Sequence, residues 1–252
     1  MDDLTVDTIF FDYENNPIEI LTLSGEHNEK DFIFLNGIAS PVQNCINLLT
    51  EIADRGYNVW AINMPGHGKS GMMHDVTWDL MQDILTKIIK SYDIKKPVLG
   101  GFSMGGALAL RYFSEFPDQV DSVRLLSPLC YDLPSIHELV MNGVKFSLKF
   151  AKDYWDNSEG KELPAHIYPY YYLRNYSQTL FSGAIDPAKF KKLGHRIHIV
   201  VSYDDEIIEQ ERVRKAIRKI HGVTLDALHG FTHEMYYSTK ETISEIVDNL
   251  LK

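Results

Sequence analysis

Residues 97–101 carry a short apolar strand pattern that passes, with no intervening loop, into a small-residue-rich helical pattern at 104–115. A buried strand feeding straight into a helix belongs to a sheet that is covered by helices. The joint reads Gly101-Phe102-Ser103-Met104-Gly105, with Gly106 beyond it, and has the form G-x-S-x-G. A serine on such a turn takes a strained backbone conformation and needs small neighbours where strand and helix approach each other. Its Oγ then stands above the sheet edge, and the N-terminus of the following helix favours negative charge developing beside it. Five residues alone can arise by chance. The strand before them and the helix after them give the pattern its weight.

The rest of the chain keeps the same rhythm. Residues 8–13 and 18–23 are β-rich, with Glu14-Asn15-Asn16-Pro17 as the turn between them. An apolar strand at 32–35 ends at Asn36-Gly37, a helix at 44–55 stops at Gly56, and a strand at 58–63 breaks at Pro65-Gly66-His67-Gly68. A helical period spans 77–92, and a buried strand 120–127. After a lapse, strands at 197–202 and 223–228 alternate with helices at 209–220 and 240–251. The fold class is therefore α/β, with a mostly parallel central sheet flanked by helices. The lapse, residues 130–192, holds one helical stretch (136–152) and an aromatic-rich segment with Tyr154, Trp155, Tyr168, Tyr170, Tyr171, Tyr172, Tyr176 and Phe181. Sheet strands flank it on both sides. It reads as an insertion into one core made of residues 1–129 and 193–252.

Composition narrows the function classes. The 252 residues are 44% apolar and 24% charged, enough to bury a core without disulfides or metals. The net charge of −10 argues against nucleic acid and against an anionic membrane surface as partners. Cys45 and Cys130 make no disulfide framework and match no zinc spacing. His195 and His198 lack nearby carboxylates to complete a metal site, so no metal or cofactor is expected. Met1-Asp2-Asp3 is acidic where a signal peptide would be basic, and no stretch approaches the ~18 apolar residues of a membrane span. A cytoplasmic protein without stable membrane insertion is the expectation. Gly68-Lys69-Ser70 mimics the end of a phosphate-binding loop, but Asn63 stands where that loop needs its first glycine.

An alcohol is a weak nucleophile, so Ser103 requires a base, and the base requires an orienting acid. Asp204, Asp205 and Glu206 follow the strand ending near Ser202. Asp205 is favoured over Asp204 because apolar Ile207 and Ile208 follow it, Glu206 is expected to be solvated, and Asp132 is an outside candidate. His229 and His233 follow the last strand. His233 is preferred because Gly230-Phe231-Thr232 lets the loop return over the sheet, whereas His229 closes the strand. All these segments follow carboxyl ends of strands, where open α/β sheets bind their ligands.

Taken in order, Phe-Leu-Asn-Gly at 34–37, Asn-Met-Pro-Gly-His-Gly-Lys-Ser at 63–70, Gly-Phe-Ser-Met-Gly-Gly at 101–106, Ser-Tyr-Asp-Asp at 202–205 and Gly-Phe-Thr-His-Glu at 230–234 form a specific set. The chain resembles the α/β-hydrolase superfamily, particularly its cytoplasmic carboxylesterase and monoacylglycerol-lipase-like members. That resemblance implies an α/β-hydrolase fold, a catalytic triad of Ser103, Asp205 and His233, and oxyanion donors at the backbone N–H groups of Ile38 and Met104. It makes residues 130–192 a cap, whose aromatics are expected mostly to pack it onto the body, and it makes His67 structural. The cap is short and has no long, wholly apolar face, which favours an esterase over an interfacial lipase. The implied reaction is hydrolysis of a carboxylic ester of a small or medium acyl or aromatic substrate. Thioester, amide and carbon–carbon bond hydrolysis stay open, as does a non-catalytic small-molecule receptor on the same fold. Asn36 and Ser202 depart from the histidine and glycine usual at their positions.

Overall fold

A computed structural model describes residues 4–131 and 169–252. Eight strands form one sheet: β1 (Thr5–Tyr13), β2 (Asn16–Ser24), β3 (Lys30–Leu35), β4 (Tyr57–Ile62), β5 (Val98–Phe102), β6 (Ser122–Leu126), β7 (Ile197–Ser202) and β8 (Thr224–Leu228). Their order is β1-β2-β4-β3-β5-β6-β7-β8. β2 pairs antiparallel with β1 and β4, and every pairing from β4 across to β8 is parallel. The first hairpin is tighter than its sequence suggests. Glu14 and Asn15 alone form the turn, both at positive φ (51° and 64°), the two-residue geometry that matches strand twist. Pro17 therefore lies inside β2 opposite Asp12, where it is tolerated because β4 pairs only with residues 20–23 of that strand.

The parallel strands are apolar on both faces because both are covered. Along β3, Ile33 and Leu35 enter one core cluster with Met81, Ile84 and Ile88 of α2 (Trp78–Ser91) and Leu108 of α3 (Met104–Glu115). Phe32 and Phe34 enter the other, with Leu48, Leu49 and Ile52 of α1 (Ile46–Ala53). Period two along the strand and period 3.6 along the helices thus meet at the same two surfaces. Thr77 caps α2 by accepting the Leu80 N–H at 3.2 Å, and Gly56, at φ +91°, follows the end of α1.

Of residues 130–192, the described part contains α4 (Pro169–Asn175) and α5 (Ser177–Phe181). The expected helix at 136–152 lies outside the described residues, as do Asp132, Tyr154, Trp155 and Tyr168. Three of the aromatic side chains are tied to the body. Tyr171, Tyr172 and Tyr176 donate their hydroxyls to the carbonyls of Met73 (2.9 Å), Gly66 (2.9 Å) and Pro65 (2.6 Å). Their apolar rings cover the turn after β4 while each polar tip finds a backbone acceptor. Among the described residues, no helix is long and apolar enough to cross a membrane.

Candidate active site

Ser103 sits between β5 and α3 with φ 53° and ψ −114°, a conformation that L-residues avoid. The surrounding backbone holds it there. Its N–H donates to the Leu126 carbonyl (3.0 Å), and its own carbonyl accepts the N–H groups of Leu129 (2.9 Å) and Ala107 (3.2 Å). The small residues of the motif are required by close approach: a Cβ on Gly105 would overlap the Leu35 carbonyl at the end of β3. Met104 opens the helix, so its N–H belongs to the unpaired first turn beside the serine.

The acid and base come from the loops after β7 and β8. His233 Nδ1 lies 2.9 Å from Asp205 Oδ2 and 3.0 Å from Oδ1, and both side chains are buried. Of the neighbouring candidates, Asp205 and His233 are the two that meet. Asp204 instead accepts the Gly230 N–H at 2.6 Å, and His229 stacks on Tyr203 with ring centroids 4.2 Å apart. Burial pushes the Asp205 carboxyl up, but the His233 imidazole, the Ile208 N–H and the Ser127 hydroxyl together outweigh it and hold the acid below its ordinary range. Asp205 Oδ1 also accepts the N–H groups of Ile207 (2.9 Å) and Ile208 (2.7 Å), which fixes the carboxylate plane. The His233 ring packs on Phe102, with centroids 4.6 Å apart, and so lies directly beside the nucleophile turn.

Several supporting contacts were not foreseen. Glu206, expected to be solvated, accepts the His233 backbone N–H at 3.0 Å. Ser202 is fully buried; its hydroxyl donates to the Phe231 carbonyl and accepts the Asp204 N–H (3.1 Å), tying the acid loop to the base loop. Ser127 follows β6 at φ 40°, enclosed and near enough to Asp205 to help hold the carboxyl down, although among the described residues no partner of ordinary hydrogen-bond geometry meets its hydroxyl. Apart from the local Ser202–Asp204 contact, these join residues 27 or more apart, and no local pattern announces them.

The loop after β3 closes the site. Gly37 lies so near that a Cβ on it would stand 2.6 Å from the Phe102 ring and 3.4 Å from Ser103 Cβ. Ile38 and Ala39 are the central residues of a turn closed by the Ser40 N–H on the Gly37 carbonyl (3.3 Å). Asn36 is buried with both ends of its amide satisfied. Nδ2 donates to the Gly37 carbonyl (2.7 Å) and Oδ1 accepts the Met64 N–H (2.9 Å). In a trans peptide the C=O and N–H point oppositely, so fixing the Gly37 carbonyl also fixes the direction of the Ile38 N–H. The departure at Asn36 therefore stabilises the loop. Tyr236, whose hydroxyl lies 2.8 Å from Ser40 Oγ, links this loop to the His233 segment.

The other titratable candidates lie elsewhere. Cys45 and Cys130 are buried free thiols; burial pushes Cys130 up to about 12 and Cys45 higher still, so neither resembles an activated nucleophile. His198 pairs across β7 and β8 with Asp226 at 3.0 Å. Among the described residues, no three His, Cys, Asp or Glu side chains are grouped to hold a metal ion.

Known proteins agree with this architecture. A Mycoplasma pneumoniae protein that carries an esterase/lipase name is 20% identical over 94% of this chain and 96% of its own length. A Drosophila melanogaster protein with a serine-hydrolase name is 37% identical over 71 residues, which are 26% of this chain and 21% of that protein. Two further relatives are matched over 34% and 43% of their own length. A solved 2-hydroxy-6-oxo-6-phenylhexa-2,4-dienoate hydrolase from Rhodococcus superposes with a TM-score of 0.75 at 14% identity, covering 99% of both chains, and shows a shared fold. A family model described as the alpha/beta hydrolase fold matches residues 31–163, more than half the chain, and with the elbow at Ser103 and the sheet order above, the protein belongs to that family.

Proposed function

We propose that this hydrolase is a serine esterase that cleaves a carboxylic ester of a small or medium acyl or aromatic substrate through an acyl-enzyme. The observation that carries the reading is the buried Asp205–His233 contact at 2.9 Å, packed through Phe102 against the strained Ser103 turn. His233 takes the Ser103 proton as Oγ attacks the ester carbonyl, giving a tetrahedral oxyanion. The backbone N–H groups of Ile38 and Met104 stabilise that oxyanion, with the α3 dipole behind Met104. His233 then protonates the departing alcohol, and the acyl group remains on Ser103. In the second half His233 deprotonates a water, which attacks the acyl carbonyl; the bond to Ser103 Oγ then breaks, His233 returns the proton to that oxygen, and the acid leaves. Asp205 keeps the Nδ1–H tautomer and stabilises the imidazolium formed in each half. The described part of residues 130–192 is braced on the body by Tyr171, Tyr172 and Tyr176, which suits a cap that limits access of water and of bulky substrates. The relatives with esterase names support ester over amide or thioester.

A fluorophosphonate probe and a chain-length series of p-nitrophenyl esters test this reading. Wild type should label and turn over the shorter esters, and Ser103→Ala should do neither. A wild type that fails to label would favour the non-catalytic receptor.

A further inference from the structure

His67 is a fully buried titratable side chain for which the proposed chemistry has no step. Its environment is specific. The Ala39 N–H donates to His67 Nε2 at 2.9 Å, and an N–H can be met there only by a ring lone pair. The imidazole is therefore neutral with its proton on Nδ1, which faces the carbonyl oxygens of Met64 and Pro65 at 3.1 Å each.

Ala39 has φ +56° as third residue of the Gly37–Ser40 turn, a position that favours glycine. With a Cβ present, the Ile38–Ala39 peptide gains by rotating out of this arrangement unless something restrains it. The His67 lone pair supplies such a restraint, since it accepts the Ala39 N–H of that very peptide. Asn36 holds the peptide before Ile38, and His67 holds the one after it. On its other side His67 is packed by Tyr172 and Tyr176, with ring centroids 4.9 Å and 5.7 Å away, and their hydroxyls grip the two carbonyls just before it.

We infer that His67 is a positioning residue: its Nε2 lone pair holds the Ala39 N–H and so presets the turn that aims the Ile38 N–H at the oxyanion. This rests on the esterase reading above. Loss of one oxyanion donor outright lowers kcat by about 10²–10³, so a donor that is present but loosely aimed should lower it by roughly 10–10².

Two isosteric variants separate the two sides of the ring. In His67→Gln, Oε1 can occupy the Nε2 place and accept the Ala39 N–H. In His67→Asn, Nδ2 can occupy the Nδ1 place and keep the carbonyl contact, but the Ala39 acceptor is lost. With p-nitrophenyl butyrate, His67→Asn should lose roughly 10–10² in kcat with little change in KM, and His67→Gln should recover most of it. Adding Ala39→Gly to His67→Asn should restore part of the kcat, since glycine takes the positive φ unaided. Equal losses in the two variants, in proteins with native circular dichroism, would overturn the inference and leave the esterase reading standing. Should His67→Asn not fold, a folded His67→Gln with kcat down more than tenfold overturns it alone. A wild type that neither labels with fluorophosphonate nor cleaves the ester overturns both.

Discussion

The two sides of the Ser103 turn are held by different physics. On the base side, an ionised carboxylate meets an imidazole at 2.9 Å, with backbone N–H groups of Ile207 and Ile208 on the same carboxylate. Charge carries that side, and burial strengthens it. On the donor side, the residue 36–40 turn is held by neutral hydrogen bonds from Asn36 and His67. Those bonds are individually weaker, but they set the direction of a backbone N–H that has no side chain of its own to tune. Substitutions on the base side should remove chemistry. Substitutions on the donor side should misdirect it.

The largest contrast comes from Asp205→Asn, which keeps the shape and removes the charge. It should lower kcat by about 10³–10⁴, because the wrong imidazole tautomer is then favoured. Ester kinetics with fluorophosphonate labelling rates would read it, and a loss under tenfold would remove Asp205 from its proposed role. Next is Asn36→Ala, which leaves the Gly37 carbonyl only the longer Ser40 N–H bond and takes the Asn36 acceptor from the buried Met64 N–H. It should lower kcat by roughly 10–10² and stability by about 1–3 kcal/mol, measured by urea unfolding. Unchanged kcat in a folded variant would show that the Ile38 peptide does not depend on Asn36.

Ser202→Gly is a smaller probe, aimed at the bridge between the acid and base loops. Losing one hydrogen-bonded hydroxyl should lower kcat roughly three- to tenfold, with any change in melting temperature tracking it. A kcat equal to wild type would mean that Asp205 and His233 hold their own register.

The weakest effect lies away from the site and appears only with pH. Burial lowers the His198 pKa, with Arg124 and Lys252 adding to it, and contact with Asp226 opposes them without reversing the direction. A histidine whose folded pKa lies below its unfolded value of about 6.5 favours the folded state fully above that pH. Its contribution is lost as pH falls through the folded value, because the unfolded chain takes up the proton more readily. Urea midpoints between pH 8 and pH 5 should therefore fall more steeply for wild type than for His198→Leu. Parallel slopes would show that His198 does not contribute to the loss.

Much of the architecture was legible because it depends on local periodicity. The strand–helix alternation, the span of α3 and the turn at Ser103 follow from short-range pattern and steric need. Boundaries moved where neighbours decide them: Pro17 joined β2 because no β4 residue needs its missing N–H. Local pattern favours Asp205 over Asp204 and His233 over His229, but one residue of rotation in a loop exchanges Asp204 for Asp205. Which of them faces inward was decided by Gly230, Ile207 and Ile208 supplying the N–H groups.

The sequence by itself determined the fold class and the turn that presents Ser103, because both rest on apolar period and on glycines where backbones meet. Tertiary structure alone decided the rest. It set the contact between Asp205 and His233, turned Asn36 from a departure into a support, and gave Glu206, Ser202 and His67 partners in other loops. The physical reason is common to all of them: a buried polar group must find its partner in space, and the sequence distance to that partner is unconstrained.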